Sequence, residues 1–174
     1  MPPVTEHVAA SARHTTGYLA CGPEDGPLLV FVHGWPELSI SWRHQLPFFG
    51  ALGFRAVAPD MRGYGRSSVY PRHEDYQLRE STADMIELLD SLGRERAVWI
   101  GHDWGSPVVW SLASQHPDRC HGVANLCVPY AKDGFAPIDK TEVALVAAPA
   151  ASPATLRLAD RLAEYCNQVQ AKAA

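Results

Sequence analysis

The sequence of 174 residues predicts a doubly wound α/β fold built on a mostly parallel sheet. Apolar runs such as residues 28–32 show no polar alternation, which is typical of strands buried on both faces of a parallel sheet. Segments with helical periodicity separate these runs, so strand and helix alternate along the chain. At residues 101–105 a strand is predicted to pass into a helix through one short turn. A chain of this length can form one domain with its own core.

Six segments have the composition and length of strands. They are residues 14–20, 28–32, 54–59, 97–100, 121–128 and a short segment at 143–146. The Gly- and Pro-rich stretch 21–27 separates the first two by a turn.

Three helices are predicted between these strands. Their bounds are residues 39–49, 76–92 and 107–116. The second is amphipathic, because its Met, Ile and Leu residues recur at helical spacing. Gly93 is expected to end that helix, and Pro117 is expected to stop the third. In the first helix we expect the Trp42 and Phe48 side chains to be exposed.

The composition excludes several classes of partner. It is ordinary for a globular protein, with 47% hydrophobic and 20% charged residues. A formal net charge of −4 gives no reason to expect nucleic-acid binding. No apolar run is long enough to span a membrane, and residues 1–17 lack the pattern of a secretory signal. We therefore expect a cytoplasmic protein that binds neither nucleic acid nor membrane.

The four cysteines do not form a metal-binding pattern. Cys21, Cys120, Cys127 and Cys166 include no C-x-x-C pair, and none lies beside a histidine at ligand spacing. We expect buried or incidental thiols in a reducing compartment, and neither a metal nor a cofactor.

The turn at residues 101–105, Gly-His-Asp-Trp-Gly, has the layout of a nucleophile elbow, G-x-S-x-G, with Asp103 in the place of the serine. Its two glycines are expected where a side chain would collide with a neighbouring strand or helix. The Trp104 N–H would lie at the N-terminus of the next helix and face developing negative charge. The alternative interpretation is that Asp103 only caps that helix through Ser106.

An aspartate at this position narrows the chemistry. Its carboxylate is ionised at neutral pH and is a weak nucleophile toward esters and amides. Held in place, it can displace a leaving group from saturated carbon and form an alkyl-enzyme ester. The candidate substrates are therefore small alkyl electrophiles such as epoxides and alkyl halides.

A second candidate site loop, His-Gly-Trp-Pro-Glu at residues 33–37, directly follows a predicted buried strand. Ligands bind at the carboxyl ends of parallel strands, so this loop and His102 are expected to border one site. Gly34 permits an unusual backbone angle, and the bond into Pro36 is a candidate for the cis isomer. His33 is expected to shape the loop rather than to transfer protons.

The N–H of Trp35 lies in the same loop. It is a candidate second donor beside the N–H of Trp104, so that the two backbone groups would form an oxyanion hole.

Residues 63–68, Gly-Tyr-Gly-Arg-Ser-Ser, match a dinucleotide-binding fingerprint only weakly. The third glycine is absent, and Pro71 argues against a helix starting here. We predict a tight turn, which leaves a dinucleotide-binding module as a minor alternative.

Together these motifs resemble the soluble epoxide hydrolases of the α/β-hydrolase fold. The resemblance covers about residues 17–129 and depends on four stretches in the family's order. They are residues 33–37, 42–47, 58–68 and 101–105. Haloalkane dehalogenases share the aspartate elbow, but the Trp-Pro-Glu and Met-Arg-Gly-Tyr-Gly-Arg-Ser-Ser stretches look more like epoxide hydrolases.

The resemblance implies that Asp103 attacks the epoxide and that the resulting ester is hydrolysed to a diol beside the Trp35 and Trp104 N–H groups. It also implies two lid tyrosines that protonate the epoxide oxygen, and a histidine with an acidic partner that activates water. About 45 residues follow Pro129, which at ordinary element lengths is too few for a lid and the last strands. We therefore expect a fold truncated before these parts, with impaired turnover.

We predict a core at residues 1–130, the N-terminal half of the fold, and a tail at 131–174 without family resemblance. An amphipathic helix is predicted to start at residues 152–153 of the tail. If residues 121–128 form the last full strand, its open edge favours self-association. The functions left open are an epoxide hydrolase-like enzyme, a haloalkane dehalogenase-like enzyme, and a non-catalytic remnant that binds a partner.

Overall fold

A computed structural model describes residues 1–128 and the backbone of one further strand. The described strands are β1 (Thr5–Ala10), β2 (Thr15–Cys21), β3 (Leu28–Val32), β4 (Arg55–Pro59), β5 (Ala97–His102), β6 (Cys120–Leu126) and β7 (Ala144–Ala147). The described α-helices are α1 (Gln45–Ala51), α2 (Leu78–Ser91) and α3 (Gly105–Gln115). Short 3-10 helices lie at Ser39–Trp42, His73–Tyr76 and Pro117–Arg119.

All the described strands form one mixed sheet in the order β1-β2-β4-β3-β5-β6-β7. The central strands β4, β3, β5 and β6 are parallel, whereas β1 and β2 at one end and β7 at the other pair antiparallel. The predicted doubly wound α/β class is confirmed. The parallel centre brings the carboxyl ends of β3 and β5 to the same edge of the sheet, where both candidate site loops begin.

The core has one apolar layer on each face of the sheet. Val30 and Trp99 face α2 and α3, and the alternate residues Phe31 and Ile100 face α1 and the 3-10 helix before it. Trp99 and Phe31 are almost completely buried. Truncating core aromatics of this size to alanine typically costs about 3–5 kcal/mol, so these layers hold the site-bearing strands in place.

Two features of the first half differ from the sequence prediction. The strand β1 lies within a segment for which no strand was predicted, because it is an edge strand with mostly exposed side chains and carries little hydrophobic signal. Trp42 was predicted to be exposed and is instead 5% exposed, with its ring 5.1 Å from that of Phe31. Phe48 is exposed as predicted.

The prediction that β6 has an open edge is wrong, because the backbone of β7 pairs antiparallel with residues 122–125. The short strand predicted at 143–146 is therefore present as β7, shifted by one residue. Self-association through a sheet edge stays a prediction. The amphipathic helix predicted from residues 152–153 lies outside the described residues.

Cys21 and Cys120 are buried free thiols, whereas Cys127, directly after β6, is exposed. Within residues 1–128 and 144–147, no helix has the length and apolar character needed to cross a bilayer.

Candidate active site

The turn between β5 and α3 has the geometry of a nucleophile elbow. Asp103 has a φ of 50°, in the left-handed region that residues other than glycine seldom adopt. Its carbonyl oxygen accepts the Ser106 N–H at 2.9 Å and so begins the first turn of α3. The Ser106 N–H is bonded to the Asp103 backbone and not to its carboxylate. The Asp103 side chain therefore does not cap the helix.

Close packing explains the two glycines that flank the elbow. A Cβ at Gly101 would lie 2.6 Å from Cγ2 of Val109 on α3. One at Gly105 would lie 2.8 Å from the carbonyl oxygen of His33 and would overlap that of Val32. Either side chain would push α3 away from the strands, so glycine is required by the close approach.

The loop after β3 meets the elbow at the Asp103 carboxylate. The Trp35 N–H donates a hydrogen bond to Oδ1 of Asp103 at 2.9 Å. A Cβ at Gly34 would lie 2.5 Å from the same oxygen, nearer than real Cβ atoms come to other heavy atoms. Glycine at this position thus allows the backbone to reach the carboxylate, and the Trp35–Pro36 peptide bond beside it is cis.

A second backbone donor adjoins Asp103 at the N-terminus of α3. Trp104 is the residue directly before this helix, and among the described residues no acceptor pairs with its N–H. The positive end of the helix dipole lies at the same place. The Asp103 carboxylate thus accepts the Trp35 N–H and belongs to the residue directly before Trp104.

A pocket of about 450 Å³ opens beside the elbow. Its lining residues are Trp35, Met61, Arg62, Tyr64, Tyr76, Leu78, Ser81, Trp104, Pro107 and Val108. Most of these side chains are apolar or aromatic, and the indoles of Trp35 and Trp104 are 64% and 61% exposed. Large exposed aromatic side chains around a concave surface are typical of sites for small apolar molecules.

His33 is fully buried, and both of its ring nitrogens are occupied. Nδ1 lies 2.8 Å from the Gly34 carbonyl oxygen, and Nε2 accepts the Met61 N–H at 2.9 Å. These partners fix the neutral tautomer with the proton on Nδ1. Burial also holds the pKa of His33 below its usual value. His33 therefore joins the β3 loop to the loop after β4 and has no free nitrogen with which to transfer protons.

His102 occupies a different environment. It is half-buried at the end of β5, and its Nδ1 lies 3.3 Å from Oε2 of Glu37. Its ring also meets that of Trp42 edge-on, at 6.4 Å between centroids. Glu37 therefore connects the far end of the β3 loop to the residue before Asp103.

The chain matches the α/β hydrolase fold family over residues 27–173. The chain belongs to this family. The α/β-hydrolase fold accounts for the mixed sheet, for the position of Asp103 at the carboxyl end of β5 and for the sharp turn into α3.

Several proteins similar to this chain are named epoxide hydrolases. Epoxide hydrolase B of Mycobacterium tuberculosis is 50% identical over 111 residues, which are 64% of this chain and 31% of that protein. Bifunctional epoxide hydrolase 2 of Sus scrofa is 46% identical over 60% of this chain and 19% of its own length. The crystal structure of epoxide hydrolase A from Mycobacterium thermoresistibile has a TM-score of 0.73 and 41% identity, covering 77% of this chain and 42% of that one.

The chain thus matches about a third of the length of the first of these curated relatives and less than half of the solved structure.

The sequence did not identify two residues of this site. Glu37 was part of a recognised motif, but its contact with His102 spans 65 residues. Tyr64 was assigned only to a tight turn, yet it lines the pocket. The turn itself is present, with φ of 83° at Gly63 and 51° at Gly65. Contacts between distant loops depend on the sheet order, which local patterns do not encode.

A buried ion pair supports the loop that carries Tyr64. Arg62 donates from Nε to Oδ2 of Asp84 at 2.6 Å and from Nη2 to Oδ1 at 2.7 Å. Asp84 is fully buried on α2, and its Oδ1 also accepts a bond from Arg13 at 2.6 Å. This bidentate pairing fixes the loop after β4 against α2.

Proposed function

We propose that this chain opens epoxides by attack of Asp103, forming an alkyl-enzyme ester in the manner of an epoxide hydrolase. One observation carries the proposal: the backbone N–H of Trp35 donates a hydrogen bond to Oδ1 of Asp103, whose backbone adopts the left-handed conformation of a nucleophile elbow. A carboxylate fixed in this way is oriented as a nucleophile rather than as a helix cap. The epoxide hydrolases similar to the chain, and the apolar pocket beside the elbow, support an epoxide as the electrophile.

The two carboxylate oxygens would have different tasks. Oδ2 would attack the ring carbon, because Oδ1 is engaged by Trp35. In the ester, Oδ1 would become the carbonyl oxygen. When water attacks the ester carbon, negative charge would develop on Oδ1. This oxygen already accepts a hydrogen bond from the Trp35 N–H, and Asp103 lies at the N-terminus of α3. Preorganised donors of this kind are each worth about 10²–10³ in rate in related sites.

Ester hydrolysis also needs an activated water molecule. Among the described residues His33 has no free nitrogen, and His102, whose Nδ1 contacts Glu37, does not line the pocket. General base catalysis typically contributes about 10²–10⁴-fold, so its loss would leave the second half-reaction slow. For the chain of 174 residues we therefore propose at most one slow alkylation of each molecule, with an ester that persists on Asp103.

Intact-mass measurement after incubation with styrene oxide tests this function. We expect one added substrate mass, located by peptide mapping on Asp103 and absent from Asp103→Asn when that variant is measured promptly. The matched control is Asp118→Asn, which removes an exposed carboxylate away from the pocket and should be alkylated like the wild type. A wild-type chain without any Asp103-dependent adduct would exclude the proposed function. Repeated production of diol that depends on Asp103 would contradict the slow second step and direct attention to His102.

A further inference from the structure

Tyr64 is distant from Asp103 in the sequence but lies in the wall of the pocket beside the elbow. Its ring meets that of His33 edge-on, at 5.1 Å between centroids. The next residue after His33 is Gly34, whose backbone approaches the Asp103 carboxylate. Tyr64 also shares the lining of the pocket with Trp35 and Trp104. It is half-buried, so its phenol ring forms part of the wall beside the elbow.

The Tyr64 hydroxyl differs from those of the two neighbouring tyrosines. The Tyr76 hydroxyl donates to the Tyr70 carbonyl oxygen at 3.0 Å and accepts the Tyr70 N–H at 2.9 Å. The Tyr70 hydroxyl donates to the Arg13 carbonyl oxygen at 2.9 Å and also contacts His14. Within the described part of the chain, the Tyr64 hydroxyl has no hydrogen-bond partner, so its proton is available to a molecule in the pocket.

We propose that the Tyr64 hydroxyl protonates the oxygen of the epoxide as the ring opens. The inference rests on the proposed function and adds the proton donor for its first step. The bond from Asp103 Oδ2 to the ring carbon forms, and the bond from that carbon to the ring oxygen breaks. The released electron pair goes to the ring oxygen, which takes the Tyr64 proton. The phenolate that remains then takes a proton from water.

The electrostatics of the pair favour transfer at the moment of attack. Burial and the charge of the Asp103 carboxylate both raise the pKa of Tyr64, so the phenol is protonated before the reaction. Attack converts that carboxylate to a neutral ester. The charge that opposed ionisation of Tyr64 thereby disappears as negative charge develops on the ring oxygen. The phenol becomes a stronger acid when its proton is needed.

Single-turnover alkylation by two electrophiles tests the role of Tyr64. The electrophiles are styrene oxide and 2-phenylethyl iodide, whose iodide departs as an anion and needs no proton. The maximal rate of Asp103 modification at saturating electrophile is measured for the wild type, Tyr64→Phe and Tyr18→Phe. Tyr18 is the matched control, because it lies on β2 with its ring stacked on His7 and outside the pocket lining.

We expect Tyr64→Phe to lower the maximal rate with styrene oxide by about 10²-fold, the lower end of general acid catalysis. Its rate with the iodide should stay within about threefold of wild type, and Tyr18→Phe should match wild type with both. In addition, the wild-type rate with styrene oxide should fall as the pH rises through the pKa of Tyr64. Tyr64→Phe should show no such fall. If the iodide reacts too slowly to measure, this pH profile decides.

Three results would overturn the inference. Equal losses with both electrophiles would show a structural role, and a rate with styrene oxide within threefold of wild type would show no role in the step. A pH fall that persists in Tyr64→Phe would assign the proton to another group. Failure of the wild type to form any Asp103 adduct would instead reject the proposed function itself, and this inference with it.

Discussion

Gly34 sets how closely the β3 loop approaches Asp103. The structure leaves no room for a side chain there, since a Cβ would lie 2.5 Å from Asp103 Oδ1. The loop must therefore move if Gly34 is replaced, and the bond from the Trp35 N–H would be lost or lengthened. The absence of a side chain at Gly34 thus allows the hydrogen bond that orients the proposed nucleophile.

We expect Gly34→Ala to lower the rate of Asp103 alkylation by styrene oxide by about 10²-fold, in line with the loss of accurate positioning. Intact mass against time measures this rate, and circular dichroism establishes that the variant is folded. A folded Gly34→Ala chain that is alkylated at the wild-type rate would show that the Trp35 N–H does not orient the carboxylate.

At the scale of single residues, the sequence predicted the parts of the site whose constraints are local. The spacing of Gly101, Asp103 and Gly105 predicted the elbow, because glycines at those positions have a steric purpose that can be stated in advance. The contacts of Glu37 with His102 and of Tyr64 with His33 could not be predicted in this way. Each joins two loops that are adjacent only after the strands have paired.

At the scale of elements, α2 supports the pocket through Asp84. This fully buried carboxylate binds Arg62 from the loop after β4 and Arg13 from the turn between β1 and β2. The helix thus connects the N-terminal hairpin to the loop that carries Tyr64. The amphipathic pattern of α2 predicted the helix, but Asp84 is a polar residue within its buried face and gave no hydrophobic signal.

We expect Asp84→Asn to destabilise the chain by about 3–5 kcal/mol, because it leaves the buried Arg62 guanidinium without the carboxylate that it pairs with. The matched control is Asp75→Asn, which removes a carboxylate from an exposed ion pair with Arg72 and should leave the unfolding midpoint nearly unchanged. Urea unfolding followed by circular dichroism compares the two variants. Equal unfolding midpoints for both would show that the buried cluster does not hold α2 to the loop.

Several elements differ from the sequence prediction for physical reasons. The single helix predicted at residues 39–49 is instead a 3-10 helix at Ser39–Trp42 followed by α1, and the sequence did not indicate that Trp42 would face the sheet. Strand β1 has alternating partly buried and exposed residues over only part of its length, so its pattern is weak. The edge of β6 is covered by β7 and is not open. The local pattern of β7 predicted a short strand but could not indicate which strand it would pair with.

At the scale of the whole molecule, buried histidines couple stability to pH. His14 and His33 are buried, and burial lowers the pKa of each below its usual value of 6.5. The unfolded chain therefore binds more protons than the folded chain as the pH falls below 6.5. The stability that these two neutral histidines contribute is fully present above this pH, and it is lost as the pH falls toward their folded-state pKa values.

We expect the free energy of unfolding to be lower at pH 5.5 than at pH 7.5, with each group contributing at most about 1.4 kcal/mol per pH unit. His14→Gln should reduce this pH dependence. The matched control His73→Gln replaces an exposed histidine and should leave the dependence as in wild type. Denaturant unfolding at both pH values measures the effect. An unchanged pH dependence in His14→Gln would show that His14 does not contribute.

The most direct test of Asp103 as a nucleophile follows one oxygen atom. The chain is alkylated with styrene oxide, transferred to H₂¹⁸O and held at alkaline pH, where hydroxide hydrolyses an ester at its acyl carbon. Peptide mapping then measures ¹⁸O in the Asp103 side chain. We expect one ¹⁸O atom there, and none in a chain treated identically without epoxide. An Asp103 peptide without excess ¹⁸O would contradict an ester on this carboxylate and would leave Asp103 no role as nucleophile.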